Sequence, residues 1–183
     1  MTLYTTNARL QPVQIPDKLA AVAKTHTLGI AEQKIAWAPD KLVTLGLGSC
    51  VGLVLYDPML KLGGMVHIML PFSAQSGYVA NPLKFANTAI PELLRLMLLS
   101  GAKRTRISAK LAGGAHMFNT VYNSDVMNVG ERNAQECRKV LMAHGIVIAA
   151  EDTGGTYGRS IEFCCETGVL EVRAVSPRII KLL

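Results

Sequence analysis

The chain has 183 residues, half of them apolar and 17% charged, with 19 Lys+Arg against 13 Asp+Glu for a net charge of +6. That composition can build one domain with a sizeable core, and it excludes a wholly disordered or collagen-like chain. No apolar run approaches the roughly 18–20 residues that span a bilayer, and the opening MTLYTTNARLQP lacks the apolar stretch of a secretory signal, so a soluble cytoplasmic protein with no membrane insertion is expected.

Residues 1–34 are weakly specified. Pro12 and Pro16 interrupt them, Asp17 to Lys24 could form a short helix, and the stretch reads as an N-terminal arm ahead of a single domain at 35–183. Leu42–Leu47, Val51–Tyr56 and Met65–Leu70 are short apolar runs broken by glycines and by Asp57-Pro58, the pattern of strand, turn, strand. The third is apolar on both parities, as in a strand covered on both faces. Asn81-Pro82 suits a helix entry. Ala86, Ala89, Ile90, Leu93, Leu94 and Met97 then recur at helical spacing up to Gly101, with Pro91 predicting a kink or a restart. A strand at Arg106–Leu111, a helix from about Glu131 to His144 and a strand at Ile146–Ala150 follow. Ser160–Glu166 and Val169–Val175 alternate cleanly around Thr167-Gly168, a hairpin with one buried face. The fold class is α/β: a sandwich of mixed, largely antiparallel β-sheet packed with two main helices.

Cysteines stand at 50, 137, 164 and 165 with no C-x-x-C spacing, which argues against a disulfide scaffold or structural zinc. Cys137 lies on the apolar face of its helix. Lys103, Arg104, Arg106 and Lys110 make the one short basic cluster. With aromatics at 5% it reads as a solvated turn, and nucleic acid is not an expected partner. Asp152–Arg159 lacks the lysine of a phosphate loop and reads as a plain loop before the hairpin.

Thr44-Leu-Gly-Leu-Gly-Ser-Cys50 is the most informative stretch. Two glycines leading into a cysteine can present several backbone N–H groups to one point, and Gly48 and Ser49 are the candidates for an oxyanion loop. Taken alone, Cys50 reads rather as a small buried hydrophobe at a strand start. His67, in a strongly apolar run, is costly unless hydrogen-bonded. A turn at Asp57-Pro58 would bring Cys50 and His67 to the same end of a strand pair, with Thr44 as the nearest group to orient the imidazole. Such a pairing is expected to lower the Cys50 pKa into the range of roughly 3.5–7.5 of activated thiols.

TLGLGSCVGLVLYDP followed by GGMVHIMLP resembles the CheD family of chemoreceptor glutamine deamidases. The similarity continues through KFANTAIPELL, GGAHMF, VGERN, DTGGTYGRSIEF and TGVLEVR, from about Ile35 to Arg173. The resemblance implies a fold like that of the cysteine-dependent toxin deamidases and a catalytic set of Cys50, His67 and Thr44. It further implies hydrolysis of glutamine side chains on methyl-accepting chemotaxis receptors through a cysteine thioester, with no metal or organic cofactor, and the phosphatase CheC as a partner. His116 departs from the small residue or Asn expected at its place and is assigned no role. The alternative is a non-catalytic adaptor that regulates CheC or receptors by binding. A mononuclear metal site at Cys50 and His67 lacks obvious further ligands.

Overall fold

In the computed structural model, residues 22–73, 81–116, 129–174, 176 and 178–183 are described. Their strands are β1 (Thr25–Leu28), β2 (Gln33–Trp37), β3 (Lys41–Leu47), β4 (Val51–Asp57), β5 (Leu62–Ile68), β6 (Ser108–Gly113), β7 (Val147–Thr153), β8 (Arg159–Cys164), β9 (Leu170–Ala174) and β10 (Ile179–Leu182), and the helices are α1 (Ala86–Leu99) and α2 (Val129–Ala143). They form two five-stranded sheets, ordered β1-β3-β8-β9-β10 and β2-β5-β4-β6-β7. Pairing is antiparallel except for β1 with β3 and β6 with β7.

The second sheet is the middle of three layers. Leu53, Leu55, Val66 and Ile68 face the helices and pack with Ile90, Leu93, Met97 and Leu141. Val54 and Met65, on the other parity, pack against Leu42, Phe163 and Val172 of the first sheet. Every residue of β5 is buried, as its two-faced apolar pattern requires. The predicted α/β sandwich is observed, with its strands divided into two sheets.

Local chemistry explains the boundaries. Asn81 accepts a hydrogen bond from the Leu83 N–H, so the capping side chain is where the sequence puts it, but it caps a 3-10 turn, Pro82–Lys84. The α-helix begins after Phe85 and runs on through Pro91 without restarting. In β3 the register against β8 slips between Thr44 and Leu47, and Gly46 sits there at φ +72°, a backbone state that favours glycine. This bulge lets Thr44 and Leu47 both face the core. The proposed helix at 17–24 lies mainly outside the described residues; Lys24 leads directly into β1. β1 and the start of β2 fall within the stretch the sequence left as an arm. Their apolar residues are too few for a periodicity, and their order comes from pairing with β3 and β5.

The basic cluster is mostly structural. Arg106 forms a forked ion pair with the carboxylate of Asp57, which is fully buried at the end of β4. Burial pushes the Asp57 carboxyl up, but hydrogen bonds from Arg106 and from the Lys103, Leu60 and Met59 N–H groups outweigh it and hold it below the ordinary carboxylate range. Lys110 Nζ donates to the Gly168 and Leu183 carbonyls, and Arg104 to that of His144.

Candidate active site

β3 and β5 meet between the sheets, with Cys50 in the bend that leads into β4. β4 and β5 pair antiparallel with Gly52 opposite His67, so both side-chain positions face the first sheet. Cys50 lies two residues before Gly52, hence on the same face and diagonal to His67, and it packs against the apolar layer between the sheets. Thr44 comes from β3 across that layer. A Cβ added to Gly52 would come within 3.4 Å of the Thr44 methyl and 2.6 Å of Ile161 Cδ1, so the missing side chain leaves room beside Thr44. Thr44 and His67 are brought together, whereas no hydrogen bond joins His67 Nε2 to Cys50.

Thr44 and His67 are buried, whereas Cys50 is half-buried. The Thr44 Oγ1 lies 2.8 Å from the Leu28 carbonyl oxygen and 2.8 Å from His67 Nδ1. A carbonyl can only accept, so the Thr44 hydroxyl donates its proton to Leu28. It must then accept from His67, which places the imidazole proton on Nδ1. Nε2 is left with its lone pair, buried and without a hydrogen-bond partner among the described residues. Such a nitrogen can take a proton.

The main chain of His67 is also held. Its carbonyl accepts from the Ala31 N–H and its N–H donates to the Glu32 carbonyl, at 2.9 and 3.1 Å. The turn that supplies both groups is closed by Glu32 Oε2 accepting from the Gly29 N–H, and Asn81 Nδ2 donates to the Ala31 carbonyl. Sequence reasoning missed this cradle because backbone donors leave no mark in residue type.

Burial pushes the Cys50 thiol up and the His67 imidazole down, both away from their charged forms. The resting pair is therefore thiol and neutral imidazole. This overturns the expectation of a lowered Cys50 pKa. The physical reason is burial, which penalises both charged forms; the Thr44 hydroxyl that orients the ring carries no charge to offset it.

In the loop Gly48–Cys50 every carbonyl is held. Gly48 accepts from the Ala115 N–H at 2.8 Å, Ser49 from Asn133 Nδ2 at 3.3 Å and Cys50 from the Gly114 N–H at 2.7 Å. The Gly48 N–H donates to the Gly46 carbonyl, so it is occupied. The N–H groups of Ser49 and Cys50 have no partner among the described residues. The open donors of this loop thus belong to Ser49 and Cys50, one residue later than the pair named from the sequence. Asn133, fully buried on α2, was not singled out by the sequence.

The other candidates lie apart. His26 Nε2 meets Asp40 Oδ2 at 2.7 Å at the start of β1. His116 lines a cavity of about 310 Å³ with Gly114, Thr153 and Gly155, its N–H donating to the Gly155 carbonyl. The loop from Asp152 is gathered around the buried guanidinium of Arg159, which pairs with the Asp152 carboxylate. Among the described residues no three His, Cys, Asp or Glu side chains cluster to hold a metal, and no helix is long and apolar enough to cross a membrane.

Fold and site together define a layered α/β domain in which a half-buried thiol shares a face with a hydroxyl-oriented imidazole. The family model described as CheD chemotactic sensory transduction matches residues 69–174, more than half of the chain, starting two residues after His67. Relatives extend the similarity. A probable chemoreceptor glutamine deamidase CheD of Caldanaerobacter subterraneus subsp. tengcongensis is 52% identical over 153 residues, 84% of this chain and 94% of its own. One of Clostridium novyi is 50% identical over 152 residues, 83% of this chain and 94% of its own. The chain belongs to the CheD family. A solved structure, the Bacillus licheniformis hypothetical protein YfiH, covers 67% of this chain and 50% of its own at 18% identity with a TM-score of 0.40, too slight a likeness to carry an argument.

Proposed function

We propose that this protein is a cytoplasmic protein-glutamine glutaminase that converts glutamine side chains of methyl-accepting chemotaxis receptors to glutamate. The observation that carries the reading is the chain Leu28 carbonyl, Thr44 hydroxyl, His67 Nδ1, which leaves a buried basic Nε2 on the face that Cys50 shares. The names of the relatives supply the substrate.

His67 Nε2 takes the Cys50 proton as sulfur attacks the side-chain amide carbon, and the oxygen that gains the charge is met by the Ser49 and Cys50 N–H groups. Collapse breaks the C–N bond, and the proton on Nε2 goes to the leaving nitrogen, releasing ammonia and a thioester. Water then gives a proton to Nε2 and attacks the thioester carbon. The new carboxyl group leaves, and the thiol regains its proton. CheC, a partner carried over from the family resemblance, would act by binding near this cleft.

The test is amide-to-acid conversion in receptor fragments from the same organism, mapped by mass spectrometry for wild type and Cys50→Ala. Conversion by wild type alone is the expected result. Conversion by neither protein on any cognate receptor refutes the enzyme and leaves the adaptor reading.

A further inference from the structure

α2 reaches the nucleophile loop through one side chain. Asn133 Nδ2 donates to the carbonyl of Ser49, the residue before Cys50, and to that of Ile68, the residue after His67, both at 3.3 Å. Both partners can only accept, so the amide nitrogen faces them and Oδ1 is turned away. Oδ1 is buried with no partner among the described residues, a penalty that an apolar side chain would not carry. The amide thus serves two carbonyls that an apolar side chain would leave without this donor, at the cost of one orphaned oxygen.

The geometry of the peptide unit gives those bonds a second effect. Across a trans peptide, the C=O of one residue and the N–H of the next point in opposite directions. The one cis bond among the described residues is Ala38-Pro39. Holding the Ser49 carbonyl toward α2 thus turns the Cys50 N–H away from α2, toward the side of the sheet where Thr44 and His67 lie. The Ala115 N–H does the same for the Ser49 N–H by holding the Gly48 carbonyl. Gly130 makes that approach possible at the start of α2, since a Cβ there would fall 2.4 Å from the Ala115 carbonyl oxygen.

We infer that Asn133 is a positioning residue that aims the Cys50 N–H as an oxyanion donor. The inference rests on the thioester chemistry proposed above, and its test involves no receptor. Two reagents attack the same sulfur. With p-nitrophenyl acetate the S–C bond forms through a tetrahedral oxyanion before p-nitrophenolate leaves. With iodoacetamide, iodide is displaced from a saturated carbon and no oxyanion arises.

In Asn133→Leu and Asn133→Asp, Cys50-dependent p-nitrophenolate release is expected to fall toward the ~10²–10³-fold loss that follows removal of an oxyanion donor. Iodoacetamide labelling of Cys50 should stay near the wild-type rate. A merely structural role would move both reactions together. Cys137, fully buried, reports folding in the same experiment, because it labels only when the core opens. If both variants expose it, Asn133→Ser, which leaves space for a water, carries the comparison. Equal losses with the two reagents in a folded variant, unchanged acyl transfer, or a wild type without Cys50-dependent acyl transfer would each overturn the inference. A wild type that reacts with both reagents yet changes no receptor glutamine refutes the proposed substrate instead.

Discussion

Replacing Thr44 by valine keeps the shape of the side chain and removes one oxygen, and that oxygen serves two buried groups. The Leu28 carbonyl loses its donor and His67 Nδ1–H its acceptor, both 2.8 Å away in the native protein. Each orphaned buried group costs about 1–3 kcal/mol, offset in part because valine has no hydroxyl to desolvate, so about 2–4 kcal/mol of stability should go. For a chain of this size that is a fall in Tm of roughly 5–15 °C. The rate should suffer separately. Without an acceptor at Nδ1 the imidazole proton is free to sit on Nε2, where it blocks proton uptake from Cys50. Losing an orienting bond of about 1.4–2.7 kcal/mol slows the reaction by about 10- to 10²-fold. The Leu28 carbonyl does not share the work, since it binds the Thr44 hydroxyl and not the ring. Thr44→Ser keeps the hydroxyl and both bonds, and should recover most of the rate. The assay is glutamine-to-glutamate conversion by mass spectrometry, beside thermal unfolding of each variant. A Thr44→Val protein with the wild-type rate, or a Thr44→Ser protein as slow as Thr44→Val, would refute the reasoning.

Three other expectations are as direct. Iodoacetamide labelling of Cys50 should climb with pH above neutrality, with its midpoint above the ordinary thiol range, while Cys137 and Cys165, pushed up by burial to about 12 and about 11, stay unlabelled in the native protein; a Cys50 midpoint below pH 7 would count decisively against a neutral resting pair. His67 is held below its ordinary value of 6.5 by burial, so below that pH the unfolded chain binds the extra proton first. Its contribution to stability is complete above pH 6.5 and is lost as pH falls toward the folded value. The acid limb of activity should lie below 6.5, and a limb above it, or a denaturation midpoint with the same pH slope in His67→Gln, contradicts the assignment. Gly113 sits at φ +111°, and a Cβ there would lie 2.2 Å from the Cys50 carbonyl oxygen, so Gly113→Ala should displace the nucleophile loop and cost more than the roughly 1–3 kcal/mol of a strained backbone alone; wild-type reactivity of Cys50 in a stable Gly113→Ala protein would be incompatible with this packing.

The sequence made legible what residue type controls. The hairpin of β8 and β9 alternates in burial as its apolar residues do, and α1 and α2 bury the faces their periodicities mark. The β4–β5 pairing brings Gly52 opposite His67, as a turn at Asp57-Pro58 demands. What stayed hidden depends on the main chain or on distant pairing. Nothing in Leu28, Ala31 or Glu32 announces that their backbone groups hold Thr44 and His67. The four residues of β1 have order only because β3 is beside them. Asn133 sits in an otherwise ordinary amphipathic helix, and its role needs the spatial neighbourhood of Ser49 and Ile68. The occupied Gly48 N–H follows from the bulge at Gly46, which apolar patterning cannot report.

The hydrogen bond from Thr44 ends on Leu28, the last residue of an edge strand four residues long. Short edge strands are among the first parts of a protein to open. When β1 lifts away, the Thr44 hydroxyl loses the acceptor that fixes its proton, and with it the constraint that keeps the imidazole proton on Nδ1. Amide exchange across Thr25–Leu28 therefore times how often the imidazole is released from that constraint.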